Sequence, residues 1–182
     1  MINCVRMRNQ TTGKSLTKTN SPQTKINMTI QLGDLIPDLT VATTKNEALK
    51  LRDLKGKNLI LYFYPKDNTP GCTTQGQNFR DNYQIFQEAN TTILGVSRES
   101  IRSHNNFINK HEFPFDLISD PDEELCNAFD IIKEKSMYGK TYMGIERSTF
   151  IFDTSGKLVH EVRKVKVKTH IDEMIEFVQN KL

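Results

Sequence analysis

Nowhere in its 182 residues does the chain approach the run of about 18 apolar side chains that a membrane-spanning helix needs. No membrane partner is expected. Cysteine is scarce: Cys4, Cys72 and Cys126 are an odd set, no two of them form a CxxC pair, and no secretory apolar segment precedes them. That pattern argues against a disulfide-built scaffold, a thiolate zinc site and a dithiol exchange centre, and it suits a reducing, cytoplasmic compartment. Paired metal ligands are missing too. His104 and His111 have no acidic or histidine partner at i+4, His160 falls on an outward strand position and His170 follows a helix cap. Asp120, Asp122, Glu123 and Glu124 lack the glycine and closing glutamate of a calcium loop and read as helix-start acids. Neither metal nor cofactor is expected.

What is present describes one globular domain. With 36% of residues in the AVILMFWYC set and 26% charged, the chain is neither collagen-like nor disordered as a whole, and its length suits a single core. Residues 1–27 differ: they are rich in Thr, Ser, Asn, Gln and Lys, contain no Asp or Glu, and carry Arg6, Arg8, Lys14, Lys18 and Lys25. With few apolar side chains to offset ordering, this stretch is expected to be a disordered basic tail, either an upstream start or a leader. Gly13-Lys14-Ser15 imitates the end of a phosphate-binding loop, but Arg8 stands where that loop needs glycine. Residues 28–182 hold 20 of the 25 basic residues against all 22 acidic ones, so the expected domain is not basic and nucleic acid is not an expected partner. The cationic stretch Arg163 to Lys168 alternates with Val165 and Val167, as a half-buried strand would.

From Met28 onward strands and helices alternate. Leu59 to Tyr64 (LILYFY) reads as a strand buried on both faces, and Ile93 to Val96 as another. Phe79, Tyr83 and Phe86 recur at helical spacing between them; Ile101, Phe107 and Ile108 suggest a second helix, and Phe115 to Ile118 a short strand. Thr149–Phe152 and Leu158–Val162 read as strands of a hairpin turned by Asp153 to Lys157. Ile171, Met174, Ile175, Val178 and Leu182 form the apolar face of a closing helix, with Thr169 as its expected N-cap. The order implies an α/β protein with a mixed central sheet flanked by helices, as in a thioredoxin-like fold.

Chemistry concentrates in Tyr64-Pro65-Lys66-Asp67-Asn68-Thr69-Pro70-Gly71-Cys72, where a buried strand gives way to a helix. In the first helical turn, free backbone N–H groups and the helix dipole stabilise a thiolate at Cys72. Thr69 can present its hydroxyl to whatever the sulfur attacks, and Pro65 and Pro70 fix and shield the loop. A buried structural thiol is the commoner fate of a lone cysteine, but the strand, proline-rich turn and helix favour a reactive one.

These residues resemble a known family. Pro65, Thr69 and Cys72 match the Pro-x3-Thr-x2-Cys signature of the peroxiredoxins, and YPKDNTPGCTTQ followed by Phe79-Arg80-Asp81 is similar to the bacterioferritin comigratory protein or peroxiredoxin Q subfamily. The likeness continues through Ser119-Asp120-Pro121, Lys133 to Lys140, Ile145 to Phe150 and Lys164 to Lys168, and covers 28–182. It implies a thiol-dependent peroxidase acting on hydrogen peroxide and alkyl hydroperoxides, with Cys72 as peroxidatic nucleophile passing through a sulfenic acid. Thr69 and the N–H groups around Gly71 and Cys72 would orient the peroxide, while Arg147 would favour the thiolate and stabilise the leaving oxygen. Arg80 is implied as a structural neighbour of the site. Many relatives carry a resolving cysteine five residues after the first; here Gln77 occupies that position. Cys126, among apolar neighbours, reads as a structural thiol, and nothing positions Cys4. The expectation is a monomeric, one-cysteine enzyme reduced by thioredoxin or another thiol. The competing reading is a redox sensor or relay on the same fold without efficient turnover.

Overall fold

A computed structural model describes residues 29–45 and 47–182. The tail proposed for 1–27, and Cys4 within it, lie outside the described residues. The organising element is β3 (Asn58–Phe63), all six of whose residues are buried. Its apolar run excludes water from both faces, so alternate side chains supply two cores. Leu59, Leu61 and Phe63 pack with Phe129, Phe150 and Phe152 on one side. Ile60, Tyr62 and the following Tyr64 pack with Phe79, Phe86, Phe107, Met174 and Val178 on the other.

Around β3 runs a seven-stranded mixed sheet. On one side β4 (Thr91–Ser97) pairs parallel to β3, β5 (Asp116–Ser119) parallel to β4, and β1 (Thr40–Thr43) antiparallel to β5, with β2 (Leu49–Lys50) at the edge. On the other side β8 (Ser148–Phe152) and β9 (Leu158–Val162) add antiparallel strands. Leu61 lies opposite Leu94 on one flank and Phe150 on the other. The helices are α1 (Pro70–Asp81), α2 (Tyr83–Glu88), α3 (Ile101–His111), α4 (Glu124–Ala128) and α5 (Val167–Lys181). The α/β, thioredoxin-like architecture expected from the sequence is the one observed.

Four local readings change. Arg163 to Lys168 form no strand: β9 ends at Val162, and Val167 and Lys168 open α5. The Phe79–Tyr83–Phe86 stripe spans two helices, because Asn82 leaves helical geometry (φ −109°, ψ 13°) and its side-chain amide donates to the Asn78 carbonyl at 2.9 Å. The last helix begins at Val167, and its N-cap, Lys166, makes no capping side-chain bond. A separate two-stranded hairpin, β6 (Ile132–Met137) and β7 (Lys140–Ile145), turns through Tyr138 and Gly139 at φ 51° and 75°, the left-handed pair of a two-residue hairpin. Asp120 does serve a helix start: its carboxylate accepts from the backbone N–H groups of Leu125 and Cys126 at 3.1 and 2.8 Å.

Candidate active site

The loop after β3 carries the chain from the sheet into α1. Asn68 takes a left-handed conformation (φ 58°), Thr69 is extended at the N-cap, and Pro70 opens the helix where a missing N–H loses no bond. The first intrahelical bond runs from Thr73 N to the Thr69 carbonyl at 2.9 Å. The amides of Gly71 and Cys72 therefore lie in the unpaired first turn. Thr69 does not cap them; its hydroxyl donates to the Lys66 carbonyl at 3.1 Å, keeping its lone pairs free to accept. Pro65 is half-buried at the base of the loop.

Cys72 is only 2% exposed. Arg147, in the link between β7 and β8, donates from Nη2 to Cys72 Sγ at 3.2 Å and from Nη1 to Gln75 Oε1 at 2.5 Å. A Cβ on Gly71 would stand 3.4 Å from Nη2, so glycine there leaves the guanidinium room beside the sulfur. The backbone at Arg147 is fixed in turn by Val165 N, which donates to its carbonyl at 3.0 Å. The guanidinium thus lies directly against the sulfur at the N-terminal end of α1. Nearby, burial and Arg147 push the Lys135 ammonium below its usual range while its Nζ donates to the Ile145 carbonyl.

The sequence-derived residues Cys72, Gly71 and Arg147 thus converge, with Thr69 and Pro65 on the loop that delivers them. Arg80 bonds instead to the His111 carbonyl and to Asp81, as a structural residue. Gln75 is a residue the sequence reading missed, although its i+3 spacing from Cys72 places both on one helix face. The histidine reading needs correction. His104 has no partner at i+4, as read, but it is fully buried against Asp67, which lies on the loop before Cys72 and not along its own helix. His170 is buried within α5, edge-on to Phe79, and the His160 ring stacks on Phe177 at 4.2 Å instead of pointing outward. Cys126 is fully buried, and burial followed by Asp120 pushes its thiol far above the usual range. Among the described residues no group of three or more His, Cys, Asp or Glu could hold a metal ion, and no helix is long and apolar enough to cross a membrane.

Fold and site together are those of a thiol-based oxidoreductase built on a thioredoxin-like sheet. The chain belongs to the AhpC/TSA family, whose profile matches residues 32–161, and is a peroxiredoxin, reducing peroxides at the expense of a thiol. Among its relatives is Peroxiredoxin Bcp of Bacillus subtilis, 48% identical over 153 residues that cover 84% of this chain and 98% of that protein. Peroxiredoxin Bcp of Xanthomonas campestris is 51% identical over 138 residues, 76% of this chain and 86% of the relative. The solved structure of the X. campestris bacterioferritin comigratory protein, studied for alkyl peroxide reduction, has a TM-score of 0.75 at 47% identity, covering 80% of this chain and 95% of its own. A cysteine-to-serine mutant of Xylella fastidiosa peroxiredoxin Q reaches a TM-score of 0.78 at 40% identity, covering 84% and 97%.

Proposed function

We propose that Cys72 is the peroxidatic nucleophile, a reading carried by the 3.2 Å contact between Arg147 Nη2 and its Sγ in the first turn of α1. The thiolate attacks the terminal peroxide oxygen; an S–O bond forms as the O–O bond breaks, sulfur is oxidised to sulfenic acid, and hydroxide or alkoxide leaves and takes up a proton. Thr69 Oγ and the Gly71 and Cys72 amides orient the peroxide, Arg147 stabilises the developing charge, and Pro65 holds the loop. The substrates are hydrogen peroxide and alkyl hydroperoxides, in line with the alkyl peroxide reduction studied in the X. campestris relative.

Reduction follows a one-cysteine cycle. Gln77 stands at the expected resolving position and Cys126 is sealed in the core, so an external thiol, thioredoxin or a smaller donor, attacks the sulfenic sulfur and releases water. A second thiol then frees Cys72. The catalytic unit is 28–182, acting as a monomer in the cytoplasm, with 1–27 an appendage whose removal leaves activity unaltered.

Mass spectrometry of protein given one equivalent of peroxide tests this reading. Cys72→Ser should abolish peroxide consumption with a thiol donor, and Cys126→Ser should keep most of it. Wild type should show a sulfenic adduct at Cys72; a Cys72–Cys126 disulfide would overturn the one-cysteine cycle, and near-normal activity in Cys72→Ser would overturn the assignment of the nucleophile.

A further inference from the structure

Five residues before Cys72, the active-site loop is tied down by a buried polar cluster that peroxide chemistry does not use. Asp67 is 5% exposed and His104 is fully buried, although one belongs to the loop and the other to α3. Tyr64, at the end of β3, donates its hydroxyl to Asp67 Oδ1 at 2.7 Å, and Ser103 donates to Oδ2 at 2.6 Å. His104 Nδ1 lies 3.2 and 3.0 Å from the same two oxygens, while its Nε2 lies 3.1 Å from the Ile118 carbonyl of β5. Loop, β3, α3 and β5 therefore meet on one carboxylate and one imidazole.

Donor and acceptor chemistry fixes the proton on the outer ring nitrogen. A carbonyl only accepts, so Nε2 carries a proton. Nδ1 faces both oxygens of the Asp67 carboxylate and also lies 3.3 Å from the Tyr64 hydroxyl, so the three side chains share one hydrogen-bond network. Burial opposes charge on Asp67, but the bonds from His104, Ser103 and Tyr64 outweigh it and hold the carboxyl below its ordinary value. The arrangement is thus a fully satisfied buried polar network, the condition under which such a network is rigid.

What it holds is the entry to the nucleophile. Asp67 is followed by the left-handed Asn68 and then by Thr69, the N-cap whose hydroxyl turns back to the Lys66 carbonyl. Anchoring Asp67 fixes the direction in which the chain enters α1, hence where Thr69 Oγ and the Gly71 and Cys72 amides point. We propose that the Asp67–His104 pair is a clamp on the cysteine loop, making Asp67 and His104 positioning residues for peroxide attack, an inference that rests on Cys72 being the nucleophile.

The two substitutions that separate positioning from mere packing are Asp67→Ala and Asp67→Asn. Alanine removes every bond to the carboxylate, leaving His104 only the Ile118 carbonyl and the Tyr64 hydroxyl, 3.3 Å from Nδ1. Asparagine preserves them in neutral form: its carbonyl accepts from Tyr64, while its amide donates to an unprotonated His104 Nδ1 and to Ser103 Oγ, with Nε2–H still on Ile118. Stopped-flow oxidation of the prereduced full-length protein by hydrogen peroxide, in a single turnover, should be about tenfold or more slower in Asp67→Ala, since small misplacements of reacting groups carry penalties of that order. Asp67→Asn should recover to within about threefold of wild type. Proton NMR should show a downfield imidazole N–H in wild type that is lost in Asp67→Ala. The clamp is overturned if folded Asp67→Ala reacts at the wild-type rate, or if Asp67→Asn is as slow as Asp67→Ala. Should Asp67→Ala fail to fold, Tyr64→Phe, which removes one hydroxyl donor, decides in the same way: slowed attack supports the clamp and an unchanged rate overturns it. Loss of reaction in Cys72→Ser tests the nucleophile separately. The NMR signal depends only on the pair, so failure of one reading is distinguishable from failure of the other.

Discussion

Arg147 divides one guanidinium between two acceptors, the Cys72 sulfur and the Gln75 amide oxygen, and only a planar fork can serve both at once. Arg147→Lys keeps the charge but loses the fork, so peroxide attack is expected to slow by about tenfold or more, measured as the second-order rate of Cys72 oxidation. Gln75→Leu should slow attack less, because the guanidinium keeps its contact with sulfur while losing the partner that aims it. Equal rates in wild type and both variants would remove Arg147 and Gln75 from the site. Cys72, Thr69 and Arg147 were legible in the sequence, the first two from a strand–turn–helix boundary rich in proline and the third from resemblance to a family. Gln75 and His104 were not. A partner 72 or 37 positions away leaves no sign of itself in the residue's own neighbourhood.

At the level of elements, the helix bearing Cys72 is constrained by a glycine that looks like a weakness. Gly76 sits where a Cβ would come within 2.5 Å of the Phe113 ring. That ring cannot step aside freely, being stacked on Phe115 at 5.3 Å and edge-on to Phe107 at 4.9 Å. Alanine normally gains about 0.5–1 kcal/mol over glycine inside a helix, but overpacking costs about 1–3 kcal/mol. Gly76→Ala should therefore lower the melting temperature, and a rise would show that the ring yields. The same contrast explains which elements could be read in advance. β3 and β4 announced themselves as apolar runs because both faces are buried. The β6–β7 hairpin, largely exposed and outside the main sheet, presented no hydrophobic alternation to read. The break between α1 and α2 was hidden because Phe79 and Phe86 both reach the core across it.

For the molecule as a whole, acid should act through His170. Burial, reinforced by Arg147 and His160, brings its pKa down to about 4. In the unfolded chain the ring takes up a proton near pH 6.5, so between pH 6.5 and 4 the unfolded state binds more protons and stability falls as pH falls. The loss is on the order of 3 kcal/mol across that window. Urea unfolding of His170→Leu should show a flatter pH dependence there; an unchanged slope would assign the acid response to other groups. The 2% exposure of Cys72 has a further consequence, for timing. A peroxide is small enough to reach the sulfur in place, whereas a reductant's own sulfur must come within bonding distance, which requires the start of α1 to part from its surroundings. Oxidation should then rise in proportion to peroxide concentration, while reduction climbs to a plateau set by that motion. Two chemically unrelated thiols should converge on the same plateau, so that the speed of recovery belongs to the protein and not to its electron donor.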